Sequence, residues 1–296
     1  MKTLIIGKGA SGVRHESILN KLDCEIFTVS NHTPISYANF HSLSEALEKV
    51  EPKYVVVSNE TAQHLTTLIE LEKLNYKGKV LVEKPLDFKS YSGNFAFEKI
   101  GVGFNLRFLP SIIELKKILT ENRIKIYAAQ INYGNLYTNW RDVTRVSEQY
   151  SSIKNKGGGV LRDFSHEIDL VIWLFGKPKI NFATGGKLGE ITIDSDDCWD
   201  ISASTTLVPM ISLHLDCLDS MPKREIRLLT SLGTICVDVK LNKIFSFNGE
   251  FSFDSGIEDT YKLMHMDMIS SKGNLVATIE EALQVDEIIY SVETFS

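Results

Sequence analysis

Short apolar runs alternate with helix-like segments through the first hundred residues of the chain. Strands that are apolar along their whole length are typical of a parallel sheet that helices cover on both faces. Between the runs, Ser42 and Glu45 form a capping box, and apolar residues recur at helical spacing in Ala62–Leu74. The alternation predicts a doubly wound α/β fold. The predicted strands are Thr3–Ile6, Glu25–Val29, Tyr54–Val57, Val80–Val82 and Ile100–Val102.

A glycine-rich turn, Gly7 to Gly12, separates the first predicted strand from an amphipathic helix. In the G-x-G-x-x-G pattern the first glycine permits a tight turn. The second lets the backbone approach a pyrophosphate, and the third lets helix and strand pack closely. The helix N-terminus then offers free N–H groups to the anion. The pattern alone also fits an ordinary glycine-rich turn, but its place between strand and helix favours a dinucleotide-binding Rossmann domain.

The residues after the second predicted strand bear on which dinucleotide binds. An NAD-selective protein usually has a carboxylate about 20 residues beyond the glycine motif, where it binds the ribose hydroxyl. This chain has Ser30, Asn31 and His32 there and no acidic residue. Because no carboxylate there repels a 2′-phosphate, the sequence favours NADP over NAD. It also has no arginine there to bind the 2′-phosphate. The predicted cofactor-binding residues are Gly7, Gly9, Ala10, Ser11, Gly12, Ser30, Asn31, His32, Ser58, Asn59, His64, Glu83 and Lys84.

The second half of the chain has a different pattern. It begins with a helix and the strand Ile124–Tyr133, and segments such as Met210–Leu218 and Glu225–Leu229 lie close enough together to be antiparallel neighbours. A closing helix begins at a capping box formed by Thr278 and Glu281. The predicted domains are 1–108, for dinucleotide binding, and 109–296, for substrate binding and oligomerisation, with the final helix at 278–293 placed to pack back on the first domain.

The composition argues against several classes of function. Hydrophobic residues make up 43% of the chain and charged residues 24%, as in an ordinary globular protein. A net charge of -6 without a long run of one sign argues against a nucleic-acid or membrane surface as partner. No apolar stretch approaches the roughly 20 residues that span a membrane. The four cysteines show neither zinc-like nor C-x-x-C spacing, and the sequence contains no secretory signal. We therefore expect a cytoplasmic protein that binds small molecules.

Two segments carry side chains suited to proton transfer. Glu83-Lys84-Pro85 follows the fourth predicted strand at its carboxyl end, where an open α/β sheet binds its ligand. His166 and Asp169 stand three residues apart on one helix face, and a carboxylate beside a histidine fixes its tautomer and raises its basicity. The pair also fits a buried structural contact. A metal site is not indicated, since no further ligands stand in a recognisable pattern.

Taken together, these motifs are specific. The chain resembles the Gfo/Idh/MocA family, named for glucose-fructose oxidoreductase and inositol dehydrogenase, over essentially its whole length. The resemblance implies an NAD(P)-dependent dehydrogenase or reductase of sugars, cyclitols or sugar derivatives. It also implies a second domain with an open, largely antiparallel sheet that commonly builds homo-oligomers, such as dimers or tetramers. The matching segments are Gly7–Gly12, Glu83-Lys84-Pro85, Gly103–Phe108, Gly157–Asp169 and Ala282–Glu293.

The resemblance further implies catalytic roles. Lys84 matches the lysine that polarises or protonates the reacting oxygen, and His166 matches the proton acceptor when an alcohol is oxidised. Asp163 looks like the acidic residue before that histidine, but it stands three residues away, one fewer than the usual spacing. The Ser-His-Glu-x-Asp form is similar to one branch of the family, whose members often act in the synthesis of bacterial surface sugars. We expect reversible hydride transfer between the nicotinamide C4 and a carbinol or carbonyl carbon.

The loop that contains Trp140, Arg141, Arg145, Tyr150 and Ser151 resembles the same branch. Arginines bind phosphate or carboxylate groups through paired hydrogen bonds, and an aromatic face suits a sugar ring or a base. The loop thus favours an activated sugar, nucleotide-linked ones included, while a solvated loop is the simpler alternative. The predicted substrate-binding residues are Asn105, Arg107, Trp140, Arg141, Tyr150, Asp163 and His166.

Several of these candidates have a structural alternative. Asn105 and Arg107 either hold an acidic substrate or brace the domain junction. His15 and His64 lie on predicted helices and are more simply explained as structural, although His64 also stands among the cofactor candidates. Two other functions remain open for the whole chain. One is a non-catalytic NAD(P)-binding sensor on the same fold, and the other is a reductase of a bulky non-sugar substrate.

Overall fold

The structure is a computed structural model that describes residues 1–30, 39–87, 94–122, 124–139, 150–270 and 272–295, with only the backbone at residue 150. The chain divides into two compact units. The first comprises Met1–Asn105 and Glu258–Leu283, and the second comprises Leu106–Ile257 and Gln284–Ser296. Each unit has its own β-sheet.

The described part of the first unit holds a five-stranded sheet whose strands all run parallel. The strands are β1 (Lys2–Ile6), β2 (Glu25–Val29), β3 (Tyr54–Val57), β4 (Lys79–Val82) and β5 (Lys99–Val102). Their order is β2-β1-β3-β4-β5. All residues of β3 are buried, which explains why the central strands carry no alternating polar face. The predicted doubly wound sheet is confirmed.

Helices connect these strands. They are α1 (Ala10–Asn20), α2 (Leu43–Val50) and α3 (His64–Lys73). The Ser42 hydroxyl accepts a hydrogen bond of 3.4 Å from the Glu45 N–H at the start of α2, as the capping box predicts. The order of the strands reverses beside β1, and the carboxyl ends of β1 and β3 are where such a sheet leaves a ligand crevice. The glycine turn lies at this edge.

The second unit contains, within the described residues, an eight-stranded sheet. Its order is β13-β12-β11-β10-β6-β9-β8-β7, and all neighbours are antiparallel except β6 and β9. One face is buried: in β10, Ile226 and Leu228 are buried while Arg227 and Leu229 are exposed. The predicted open, largely antiparallel sheet is confirmed. The strands are β6 (Ile126–Gly134), β7 (Lys179–Gly186), β8 (Cys198–Ser204), β9 (Ile211–Asp216), β10 (Lys223–Thr230), β11 (Gly233–Asp238), β12 (Lys243–Ser246) and β13 (Gly249–Ser252).

Helices α4 (Pro110–Glu121), α5 (Val160–Asp163) and α6 (Ser165–Phe175) belong to the second unit. Helix α4 contacts β11 and β12, and α5 contacts β8 and β9. Pro110 occupies the first helical turn of α4, where its missing N–H costs no hydrogen bond. These contacts cover the buried face of the sheet with apolar side chains.

Helix α7 (Ile257–Ile269) belongs to the first unit, although the sequence prediction placed it in the second domain. Two lysines of the first sheet explain this. The Lys79 ammonium donates to the Ile269 carbonyl (2.5 Å), and the Lys99 ammonium donates to the carbonyls of Asp267 (2.7 Å) and Gly273 (2.8 Å). Cations near the end of a helix satisfy carbonyls that have no partner within the helix.

The closing helix, α8 (Ile279–Glu293), starts at the predicted capping box. The Glu281 N–H donates to the Thr278 hydroxyl (3.2 Å), and the Thr278 N–H donates to the Glu281 carboxylate (2.9 Å). The residues of α8 up to Leu283 belong to the first unit, and those from Gln284 belong to the second. No helix in the described ranges has both the length and the apolar character that crossing a membrane requires.

Candidate functional site

The glycine turn after β1 is held by close backbone contacts. Gly7 has φ +97°, and its N–H donates to the Val29 carbonyl at 2.9 Å. A Cβ on Gly12 would lie 2.1 Å from the Gly7 carbonyl oxygen, so only glycine lets α1 start this close to the strand. The first and third glycines of the motif therefore perform the packing roles that the sequence predicts.

Gly9 differs from Gly7 and Gly12, the other two glycines of the motif. A Cβ built on Gly9 would meet no atom of the described residues within 4 Å, and its φ of -76° is available to any residue. The N–H groups of Ala10, Ser11 and Gly12 precede the first hydrogen bond of α1, from the Val13 N–H to the Gly9 carbonyl (3.0 Å). The first turn of the helix contains no acidic residue. Open space beside Gly9 and three N–H groups fit the pyrophosphate of a dinucleotide.

Ser58 and Asn59, at the carboxyl end of β3, brace the turn. The Ser58 hydroxyl lies 3.0 Å from the Gly7 carbonyl oxygen and 3.1 Å from that of Ile6. The side-chain amide of Asn59 donates to the Thr67 hydroxyl at 2.8 Å. The Asn59 backbone also limits Gly7, because a Cβ there would lie 2.6 Å from the Asn59 nitrogen. Ser58 and Asn59, both predicted cofactor-binding residues, therefore fix the shape of the glycine turn.

His64, at the start of α3, is almost fully buried. Its Nδ1 lies 2.9 Å from the Pro85 carbonyl oxygen, and its Nε2 lies 3.2 Å from that of Asn59. Burial lowers the pKa of His64, against the opposing effect of these carbonyls and of Glu83. The imidazole joins the turn after β3 to the turn after β4, which favours the structural reading of this residue.

The residues at the end of β2 are described only in part. The Ser30 N–H donates to the Phe40 carbonyl at 3.2 Å, and the Ser30 carbonyl oxygen lies 2.9 Å from the His41 Nδ1. Asn31 and His32, the other residues proposed to select the cofactor, lie outside the described residues. The backbone of Ser30 is thereby held in place at the edge of the sheet.

The Glu83-Lys84-Pro85 turn follows β4, and its Lys84-Pro85 peptide bond is cis. The Glu83 carboxylate lies 2.8 Å from the His15 Nε2, and its other oxygen accepts from the Lys84 N–H at 3.1 Å. Burial raises the pKa of Glu83, but the hydrogen bond with His15 and the interactions with Lys84 oppose this effect, and the net pKa is lowered. Glu83 is therefore a buried carboxylate beneath a half-buried Lys84.

Asn105 and Arg107 both have structural partners. The Asn105 amide donates to the Thr260 hydroxyl at 2.6 Å within the first unit. In the second unit, Arg107 binds Asp169 through two hydrogen bonds, from Nε (3.0 Å) and from Nη2 (2.6 Å). Both members of this ion pair are 1% exposed. The two hydrogen bonds show that Asp169 binds Arg107 through both carboxylate oxygens. The burial of the pair favours the bracing role of Arg107 over the substrate-binding role.

His166 lies in the first turn of α6, and the two carboxylates that follow it, Glu167 and Asp169, are each bound by an arginine. Asp169 is bound by Arg107, as described above. Glu167, 2% exposed, accepts hydrogen bonds of 2.6 and 3.0 Å from Arg224, whose guanidinium lies 4.1 Å from the centre of the Tyr133 ring. These paired arginine contacts, one and three residues after His166, fix the position of this helix. The sequence reasoning did not identify Glu167 and Arg224.

Three glycines, Gly157 to Gly159, precede the short helix α5, which ends at Asp163. Gly159 has φ +116°, and a Cβ there would lie 1.9 Å from the Asp196 carboxylate. That carboxylate accepts from the Leu161 N–H at 3.0 Å, and burial raises its pKa despite this hydrogen bond. The contact places α5 so that it ends at the half-buried Asp163, with only Phe164 between it and the first residue of α6.

The predicted substrate loop is mostly outside the described residues. This applies to Trp140, Arg141 and Arg145 and to the side chain of Tyr150. Ser151 is buried, and its carbonyl accepts from the Ser195 hydroxyl at 2.9 Å. Among the residues that the structure describes, no three His, Cys, Asp or Glu side chains are grouped to hold a metal ion.

No protein-family model and no curated protein sequence matches the chain. Solved structures share its fold over its whole length. The WlbA dehydrogenase from Bordetella pertussis, in complex with NADH and UDP-GlcNAcA, is 16% identical with a TM-score of 0.79 and 95% of its chain covered. An NAD binding oxidoreductase from Klebsiella pneumoniae is 14% identical, with a TM-score of 0.82 and 96% covered.

A third solved structure is the UDP-N-acetylglucosamine 3-dehydrogenase GnnA from Acidithiobacillus ferrooxidans. It is 14% identical, with a TM-score of 0.76, and the match covers 100% of this chain and 97% of that one. The two-sheet fold predicted from the resemblance to the Gfo/Idh/MocA family is thus the fold of solved oxidoreductases.

The buried Arg107–Asp169 pair gives a prediction about stability. Replacing Arg107→Met leaves the Asp169 carboxylate buried without its main partner, so we expect the free energy of unfolding to fall by about 3–5 kcal/mol. The double variant Arg107→Met with Asp169→Leu should recover most of this loss, because neither charge of this buried pair then remains. Urea unfolding followed by circular dichroism measures both effects.

Lys117→Met, on an exposed position of α4, is the matched control and should leave the unfolding curve nearly unchanged. If Arg107→Met unfolded at the same urea concentration as this control, the ion pair would not be a structural brace.

Proposed function

We propose that the chain is an NAD(P)-dependent oxidoreductase that transfers a hydride between the nicotinamide and a carbinol or carbonyl carbon of a sugar or sugar derivative. The observation that carries the proposal is the turn at Gly9, where a built Cβ would meet no described atom within 4 Å and the N–H groups of Ala10 to Gly12 precede the first hydrogen bond of α1. The shared fold supports it, since the matching solved structures are oxidoreductases and dehydrogenases.

The proposed roles of the side chains follow the family resemblance. When bound, the nicotinamide supplies the hydride chemistry. In the direction of alcohol oxidation, the C–H bond gives up its hydride and His166 takes the hydroxyl proton. Lys84 stabilises the negative charge that develops on the oxygen. In reduction, the same groups return the proton. Asp163 is proposed to support this proton transfer from the end of α5.

NADP is the proposed preference of the cofactor site. The support is the absence of an acidic residue among Ser30, Asn31 and His32, since a carboxylate there would repel a 2′-phosphate. WlbA was solved with NADH, and the Klebsiella pneumoniae protein is an NAD binding oxidoreductase, so the proposed preference for NADP rests on this sequence alone.

A nucleotide-linked sugar is the proposed kind of substrate. WlbA was solved with UDP-GlcNAcA, and GnnA is a dehydrogenase of UDP-N-acetylglucosamine. The sequence adds Trp140, Arg141 and Tyr150, an aromatic and cationic set that suits a base and a diphosphate. A homodimer or tetramer through the second sheet is the proposed assembly.

The first prediction concerns cofactor binding. Because a Cβ on Gly9 meets no protein atom, Gly9→Val should fold normally but fill the space that the pyrophosphate needs, and calorimetric titration should show affinity for NADPH lost. Gly9→Ala should lose less. Gly256→Val, also at a position with no atom within 4 Å, should bind like the wild type. Undiminished affinity in Gly9→Val would place the dinucleotide elsewhere.

The second prediction concerns cofactor choice. The wild type should bind NADPH more tightly than NADH, and Asn31→Asp should reverse this order, because the new carboxylate repels the 2′-phosphate and can bind a ribose hydroxyl. Asn31→Ser is the uncharged control. Fluorescence titration with both dinucleotides measures the ratio, and a wild-type preference for NADH would refute the NADP proposal.

The third prediction concerns the proton path. On a nucleotide-linked sugar that the wild type turns over, Lys84→Met and His166→Ala should each lower kcat by roughly 100-fold or more, the usual scale for a positioned acid or base. Affinity for the dinucleotide should change much less. Lys77→Met, at an exposed lysine of the first unit, is the control and should keep full activity.

Wild-type rates in both catalytic variants would remove Lys84 and His166 from the reaction. A protein that binds NADPH but transfers no hydride to any sugar nucleotide or free sugar tested would favour the sensor over the enzyme.

A further inference from the structure

A chain of four hydrogen-bonded polar side chains crosses the interior of the first unit, and the proposed reaction gives none of them a role. The Tyr54 hydroxyl lies 2.9 Å from the His265 Nδ1, the His265 Nε2 lies 2.9 Å from the His15 Nδ1, and the His15 Nε2 lies 2.8 Å from Glu83. Tyr54, His15 and His265 are all 0% exposed. We call this set the Tyr54–Glu83 chain.

The four residues come from different elements. Tyr54 begins β3, Glu83 follows β4, His15 lies on α1 and His265 lies on α7. The glycine turn lies directly before helix α1, so the Tyr54–Glu83 chain connects the glycine turn with the Lys84 turn. A buried polar network that is fully satisfied fixes one arrangement of the groups around it.

Counting donors and acceptors gives the direction of each hydrogen bond. A carboxylate only accepts, so the His15 Nε2 must carry the proton that faces Glu83. The His15 Nδ1 of a neutral ring is then an acceptor, which the His265 Nε2–H fills. The His265 Nδ1 in turn accepts from the Tyr54 O–H. Every polar group of the Tyr54–Glu83 chain is satisfied with Glu83 as the only charge.

The alternative direction leaves a buried donor unmatched. If His15 carried two protons, the His265 Nδ1 would carry its proton toward Tyr54, and the Tyr54 O–H would need another acceptor. The structure gives Tyr54 no other acceptor among the described residues, and an unmatched buried donor is costly. Burial also lowers the pKa of His265 well below its usual value and raises that of Tyr54. Both effects favour the neutral arrangement.

We propose that the Tyr54–Glu83 chain is a positioning device for the reaction: it holds Glu83 as an oriented carboxylate that supports the Lys84 turn. One Glu83 oxygen faces His15, and the other accepts from the Lys84 N–H. The carboxylate also attracts the Lys84 ammonium. The proposal rests on the proposed role of Lys84. It makes His15, His265 and Tyr54 positioning residues, since none of them needs to touch the substrate.

Substitutions of His15 test this role through kcat. His15→Leu removes the donor to Glu83, and we expect kcat per bound dinucleotide to fall roughly 10-fold, the scale seen when a supporting partner is lost. His15→Gln offers one donor and one acceptor in place of the two ring nitrogens, so it should recover most of kcat. The KM for NADPH should stay nearly constant in both, because the N–H groups of α1 remain.

Tyr54→Phe tests the far end of the chain with little change in shape. It removes the donor to the His265 Nδ1, and a smaller loss of kcat in the same direction is expected. Tyr76→Phe is the matched control: its hydroxyl is also in the first unit and binds the Lys79 carbonyl at 3.1 Å, away from the chain, so kcat should not change. Equal effects in the two tyrosine variants, or equal kcat in His15→Leu and His15→Gln, would overturn the positioning role.

A second measurement needs no substrate. In ¹⁵N-histidine-labelled wild-type protein at pH 7, NMR should show His15 and His265 both neutral with the proton on Nε2. A doubly protonated His15, or a proton on the Nδ1 of His265, would refute the direction of the chain. If the wild type transfers no hydride while the NMR result holds, the proposed function fails and the hydrogen-bond chain stands. If it turns over and His15→Leu keeps wild-type kcat, the positioning proposal alone fails.

Discussion

The buried carboxylate of Glu83 is the constraint on which the first unit depends. A carboxylate in the protein interior must be held by donors, because an unpaired buried charge costs several kcal/mol. The structure supplies them from α1, through His15, and from the Lys84 backbone. His15 can serve only if α1 starts close to β1, and that approach requires the missing side chain of Gly12. The glycine turn and the Lys84 turn are thus linked through one charge.

The second unit uses the same principle for a different purpose. Its helix α6 carries Glu167 and Asp169, and each is bound by an arginine through two hydrogen bonds. Ion pairs of this kind add little net stability when buried, but they allow only one geometry. The helix that bears His166 is therefore held by two separate ion pairs. The proposed proton transfer would need His166 to be placed accurately, and a fixed helix provides such placement.

Local patterns in the sequence predicted what is local in the structure. The strands, the capping boxes at Ser42 and Thr278, and the glycine turn all follow from residues a few positions apart. The placement of α7 could not be predicted in this way, because the Lys99 ammonium reaches a carbonyl 168 residues further along the chain. Only the fold brings these groups together.

The partners of the candidate site show the same limit. The spacing of His166 and Asp169 predicts that they share a helix face, but it does not reveal that the Asp169 carboxylate binds Arg107, 62 residues away. The sequence favours a structural role for His15, but it does not reveal the partner His265, which stands 250 residues away in the sequence. Motifs identify which side chains carry chemistry because chemistry needs particular groups, whereas the packing of distant segments decides what holds those groups.

A crystal structure of the complex with NADPH tests the central claim most directly, because the claim concerns where a dinucleotide lies. The account predicts pyrophosphate oxygens within hydrogen-bond distance of the N–H groups of Ala10 to Gly12, with the nicotinamide end nearer to Lys84 than the adenine end. A dinucleotide bound away from Gly9, or bound there with its adenine toward Lys84, would contradict it.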